Sequence, residues 1–242
     1  MAIPEIKNKW LRTILRWDVL GFAASILLFS YMPTLDLKIA YQYYNGEFFQ
    51  FEENAYVQFV YWFFGNIHFV FFVLFVYLAL HCFYKDKHEL KKKYLFLVCC
   101  LLLGPGLVVN LFLQNNSFGR PRPVNLVDFG GPHHYAAPFE YSTECQQNCS
   151  FVSGRASMAF FILAVAWVRQ RPVWIMYGCI LGVTVGFVRI IQGGNFLSDI
   201  VFSFWATWFS CLALAKLMGL TISGSTSHNN NHKSFNKKIT KG

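Results

Sequence analysis

Tyr56–Tyr84 reads YVQFVYWFFGNIHFVFFVLFVYLALHCFY, a run without one Asp, Glu, Lys or Arg. About 20 apolar residues are enough to carry a helix across the hydrocarbon of a bilayer, where only internally hydrogen-bonded backbone is tolerated. This run has length to spare, and it sets the reading of its neighbours. Further apolar runs lie at Asp18–Met32, Tyr94–Leu113, Ser153–Val168, Val173–Ile191 and Leu197–Met218. The composition agrees: 55% of residues are apolar and 14% charged, against about 25% charged in soluble domains. The expected fold is an all-α polytopic membrane protein with six transmembrane helices. A soluble helical bundle is disfavoured, because its apolar residues would come in stripes rather than runs. Residues 1–17 read as a cytoplasmic N-terminus and 18–218 as the membrane domain. Residues 219–242 read as a disordered basic cytoplasmic tail, rich in Ser, Asn, His and Lys.

Charge distribution supplies the orientation. The net charge of +9 carries no nucleic-acid motif with it, so nucleic acid is not an expected partner. Basic residues instead mark cytoplasmic segments. With both termini in the cytoplasm, 16 of the 21 Lys and Arg residues fall inside. They include Lys7, Lys9, Arg12 and Arg16 before the first run, which then reads as an uncleaved anchor. Lys85, Lys87 and Lys91–Lys93 follow the second run, and Arg169 and Arg171 the fourth. Lys216 and the tail lysines complete the set. Cys145 and Cys149 flank a polar outer loop, where a disulfide is one of two open outcomes.

Five cations remain outside. Lys38 sits among Asp36, Glu47, Glu52 and Glu53 and reads as solvated surface. Arg120, Arg122, Arg155 and Arg189 lie at one membrane face, two of them within apolar runs, where a charge is costly and usually functional. Ser153-Gly154-Arg155 opens a helix whose free N–H groups point the same way, and guanidinium forks match phosphate oxygens. Asn195 and Asp199 are four apart, hence on one helical face. Asp199 is read as a dipole partner of its helix, an ion-pair partner of Arg189, or the orienter of residue 195.

The order and spacing of these residues resemble the type 2 phosphatidic acid phosphatase superfamily. The family pattern is Lys-x6-Arg-Pro, then Pro-Ser-Gly-His, then Ser-Arg-x5-His-x3-Asp. Here the first motif ends at Arg122-Pro123, the second is Val152-Ser153-Gly154-Arg155, and the third is Val188-Arg189-x5-Asn195-x3-Asp199. Other stretches resemble bacterial lipid A phosphatases of the 4′-phosphatase type: Gly104–Asn110, Gly119–Val124, Asn148–Val152, Gln192–Gly194 and Phe196–Asp199. The resemblance implies a multi-pass protein of the bacterial inner membrane whose site faces the periplasm. It implies a phosphorylated membrane lipid as partner, and no metal or other cofactor. It also implies phosphate-binding roles for Arg122, Ser153, Gly154 and Arg189, and an orienting role for Asp199.

Three positions depart from the pattern. Asn115 stands at the Lys position, Arg155 at the proton-donor position and Asn195 at the nucleophile position. An Arg does not deprotonate, and a carboxamide cannot form the phosphohistidine-type intermediate. Loss of a nucleophile costs about 10⁶-fold in other enzymes. The expectation is therefore a phosphatase homologue that binds a phosphorylated, lipid A-like head group with little or no hydrolysis. The alternative is an active lipid A or polyprenyl-phosphate phosphatase or phosphotransferase with rearranged residues, for which His133 and His134 are substitute nucleophiles. Arg120 is a further candidate for phosphate contact.

Overall fold

A computed structural model describes residues 16–51, 53–106, 118–146 and 149–222. Helix α1 spans Trp17–Tyr31 and bends by 77° into the short α2, Leu35–Tyr41. Pro33 lies in the bend, where it withholds a backbone donor and cannot continue a helix. Helix α3, Ala55–Tyr84, is capped by Asn54, whose side chain accepts from the backbone N–H groups of Tyr56 and Val57. Its large side chains, among them Phe59, Trp62, Phe69 and Val73, are exposed, as a lipid-facing surface requires. Helix α4, His88–Leu101, continues into a wider π turn over 102–106, a local widening of the kind often seen where helices change course.

The second half forms the core. Helix α5, Gly154–Phe160, passes through a 3₁₀ turn, Phe161–Ala164, into α6, Val165–Arg169. Helices α7, Val173–Ile191, and α8, Leu197–Leu217, follow. Close approach here depends on Gly178, Gly182 and Gly186, one turn apart on α7, the small-residue spacing that lets membrane helices touch. A Cβ on Gly182 would lie 2.0 Å from the Phe160 ring, and one on Gly186 2.3 Å from Ile200. This packing fixes the end of α7 against the starts of α5 and α8, where the polar residues gather. Among the described residues there is no β-strand, only two isolated bridges.

Three helices, α3, α7 and α8, are individually long and apolar enough to cross a membrane, and the bent α1–α2 pair counts as a fourth. The two other expected spans are less regular than the hydropathy implied. The third starts early, at His88, and its end at Leu113 lies outside the described residues. The fourth is broken by the 3₁₀ turn at Phe161.

Candidate functional site

Asp199 lies in the first turn of α8 and is fully buried. It accepts the backbone N–H of Phe196 at 2.7 Å, which caps the helix, and the hydroxyl of Ser150. Its ion-pair partner is Arg120, at 2.9 Å. The three roles open for Asp199 in the sequence thus resolve into capping and an ion pair with Arg120 rather than with Arg189. The third role persists as a 3.5 Å contact from the Asn195 amide nitrogen.

Arg120 does not face an open cavity. It is 1% exposed, and every arm is committed. Its Nε donates to the carbonyl of Ala136 at 2.9 Å. One terminal nitrogen donates to Ser198 and Asp199, the other to Asp36 at 2.8 Å and Tyr135 at 3.2 Å. The guanidinium also lies 4.1 Å from the Phe196 ring centre. Burial works against its charge, but Asp199 and Asp36 outweigh that and hold Arg120 above its ordinary pKa. Tyr135, whose hydroxyl donates to the Pro33 carbonyl at 2.6 Å, is pushed up to about 12 chiefly by burial. Buried charges persist only when paired and hydrogen-bonded; this cluster meets that condition with residues from α2, α8 and the loop before α5.

Asn195 occupies the next layer and is 3% exposed. Its carboxamide oxygen accepts from the Ser153 hydroxyl and from Arg189 Nε, each at 3.1 Å. Its nitrogen donates to the Ser150 carbonyl at 2.7 Å. The amide therefore stitches the α5 N-cap, the end of α7 and the loop before α5 together. Ser153 serves this bond and also caps α5 through the Ala156 N–H. The Cys145–Cys149 disulfide forms, and it ends immediately before Ser150.

Beyond Asn195 opens a cavity of about 280 Å³ lined by Gln58, Tyr61, Arg122, Val124, Arg189, Gln192 and Gly194. Arg189 is 3% exposed, and no carboxylate among the described residues pairs with it. Its terminal nitrogen donates to Gln192 at 2.7 Å. Gly194 makes room for it: a Cβ there would stand 2.0 Å from the guanidinium. Tyr61, from α3, gathers three arginines. It shares the cavity wall with Arg122, its ring centre lies 4.9 Å from Arg189, and Arg155 stacks on it at 3.6 Å. Arg155 also donates to the Tyr61 carbonyl at 3.3 Å. Burial pulls Arg122 below its ordinary pKa, because its charged form is held away from bulk water. Such a group can bind an anion held partly out of solvent.

The structure thus brings together Arg122, Ser153, Gly154, Arg155, Arg189, Asn195 and Asp199. Arg120 stands behind them as a buried strut. Asn115 lies outside the described residues. His133 and His134 do not line the cavity; His133 bonds Glu144 at 3.1 Å, and His134 is exposed. The sequence reading missed Tyr61, Asp36 and Ser150. Tyr61 sits mid-run among aromatics, and Asp36 beside exposed Lys38; neither has a local signature. Ser150 had one signal, its place directly after a candidate disulfide.

The sequence pattern of the PAP2 superfamily matches residues 92–222, over half of the chain and including every motif arginine above. This chain belongs to the PAP2 superfamily. Within it, a protein named lipid A 4′-phosphatase from Francisella tularensis subsp. novicida (strain U112) is 35% identical over 184 residues, covering 73% of this chain and 82% of that one. A lipid A 4′-phosphatase from Rhizobium leguminosarum is 34% identical over 125 residues, covering 50% of this chain and 52% of its own length. A Rhizobium etli protein of the same name matches over 125 residues, and the chain spans 47% of it. No solved structure matches. The PAP2 match begins within α4, so Asp36, Gln58 and Tyr61, which complete the site, come from helices before it.

Proposed function

We propose that this PAP2 protein binds a phosphorylated, lipid A-like head group at the periplasmic face of the bacterial inner membrane, with little or no hydrolysis. In this reading six helices within residues 18–218 cross the membrane and both termini are cytoplasmic. The single observation that carries it is the pairing of an arginine-lined cavity with an amide at its nucleophile position. Arg122, Arg189 and the cavity they line suit a phosphate, while the Asn195 carboxamide spends its oxygen and its nitrogen on neighbouring protein groups. Phosphate-monoester hydrolysis is among the slowest uncatalysed reactions, and no imidazole is among the described residues that line the cavity. Arg122, Ser153, Gly154 and Arg189 are the proposed phosphate ligands, with Asn115 at the vacated Lys position. Asp199 is the retained member of the catalytic set, and Arg155 and Asn195 are its altered ones. The disulfide supports an outward-facing site, because such bonds persist in oxidising compartments.

The test is phosphate release from lipid A by purified protein, together with a restoration series. Asn195→His alone, then with Asn115→Lys and Arg155→Glu, is expected to turn an inert protein into a phosphatase. Phosphate release by the unaltered chain would establish the rearranged-phosphatase alternative. A fully restored variant that stays inert, in a fold that still binds the lipid, would refute the assignment of these positions.

A further inference from the structure

Arg120 answers to two carboxylates from distant parts of the chain. One terminal nitrogen donates to Asp199 Oδ1 at 2.9 Å and the other to Asp36 Oδ2 at 2.8 Å. A guanidinium shared in this way stands where the two attractions balance, so a change at either acid moves it toward the other. Asp36 also grips the turn that carries Asp199. Its Oδ1 accepts the Ser198 backbone N–H at 3.0 Å and its Oδ2 accepts the Ser198 hydroxyl. That hydroxyl in turn accepts from Arg120 at 2.8 Å.

Asp199 passes the constraint on to residue 195 by three contacts. Its Oδ2 accepts the Phe196 N–H at 2.7 Å, from the peptide group directly after Asn195. The same oxygen accepts the Ser150 hydroxyl, and the Ser150 carbonyl accepts from the Asn195 amide at 2.7 Å. It also lies 3.5 Å from that amide directly. Asn195 then accepts from Arg189 Nε at 3.1 Å, and Arg189 lines the cavity. A series of hydrogen bonds thus runs from α2, through Arg120, Asp199 and Asn195, to a cavity arginine. Its first member lies outside the residues that the PAP2 pattern matches, 92–222. Asp36 is 1% exposed and is not on the cavity wall, so it reaches a ligand only through these partners.

We propose that Asp36 is a positioning residue of the phosphate site. By sharing Arg120 with Asp199 and gripping Ser198, it sets where the side chain of residue 195, and with it Arg189, stands. The short helix α2 is then part of the site and not only of its scaffold. This inference rests on the phosphate-binding reading of the cavity and adds a residue that acts on it from outside the matched region. Charge and position predict opposite signs here. As a bare negative charge Asp36 repels a phosphate, and neutralising it would strengthen binding. As a positioning residue it holds Arg189 in place, and Asp36→Asn, which keeps the volume, weakens binding.

The experiment uses full-length protein in nanodiscs, with inorganic phosphate as the probe, in the unaltered and the Asn195→Ala backgrounds. Asp36→Asn is expected to weaken phosphate binding roughly fivefold in the first, about the effect of one hydrogen bond. It should have no effect in the second, where the series is already cut. Unchanged or stronger binding in the first background overturns the proposal. So does an equal loss in both, which marks Asp36 as structural. Ser198→Ala loosens the same joint without removing a charge; it is read by the same cycle and carries the test if Asp36→Asn does not fold. A second readout needs no ligand. The Arg189 Nε–H resonance, assigned by its absence from Arg189→Ala, should shift on Asp36→Asn, and a resonance that stays in place also overturns the proposal. Arg189→Ala separates the two layers: unchanged phosphate binding there removes the phosphate reading, while a shifted resonance leaves the positioning role standing.

Discussion

Asp36 has no motif around it and is preceded by a bend, yet it is 1% exposed and paired with an arginine 84 positions away. It also accepts the Ser198 backbone N–H at 3.0 Å. Removing one member of a buried pair leaves the other charge uncompensated, at a cost of about 3–5 kcal/mol. Asp36→Ala should therefore lower unfolding stability in detergent by that order, even though the residue touches no part of the cavity wall. Tyr135, in the same cluster, gives a second measurable. Its folded pKa, about 12, lies above the unfolded phenol near 10. A raised value means that its contribution is complete below pH 10 and is lost as pH rises through 12. Spectrophotometric titration should show one phenol ionising near pH 12, and Tyr135→Phe should remove that late component.

At the scale of elements, the site depends on how closely α7 can approach α5 and α8. Gly182 allows it, since a Cβ would collide with Phe160. Gly182→Ala should cost about 1–3 kcal/mol through overpacking and, by displacing the end of α7, should weaken phosphate binding as well. Thermal unfolding and phosphate binding measured on one preparation check both. Much of this was legible beforehand. The runs at 173–191 and 197–218 became α7 and α8 almost to the residue, because long apolar stretches between polar turns admit little else. The arginines were legible because the order of the apolar runs gathers them at one membrane face. Asn195 and Asp199 do meet, at 3.5 Å, but not on a shared helical face, since α8 begins at Leu197 and Asn195 lies in the turn before it. The shortfalls have a common cause. The break at Phe161, the 77° bend before α2 and the inward turn of Tyr61 are decided by neighbours distant in sequence. Hydropathy records a residue's own preference and is silent about its partners.

For the whole molecule, the proposed topology makes a direct claim about sidedness. A fluorescent protein fused after Gly242 should fluoresce, as it does only when folded in the cytoplasm. Glu140→Cys, in the exposed outer loop, should react with a membrane-impermeant maleimide in intact spheroplasts. A dark fusion together with an unreactive loop would invert the orientation and move the site to the cytoplasmic face. The polar centre is also assembled from distant parts of the chain. Residues from α2, α3, the loop before α5, α7 and α8 all contribute, so no half of the protein holds the cavity by itself.

The disulfide that closes just ahead of Ser150 gives this assembly a schedule. Ser150 grips Asn195 with its carbonyl and Asp199 with its hydroxyl, and the bond beside it is made by an oxidant external to the chain. Insertion of the helices can bring the arginines together, but in the proposed topology the loop that holds residue 195 is closed only once it has crossed the membrane. In that topology maturation has two stages, and a copy that never meets an oxidant would lack the covalent tie beside Ser150.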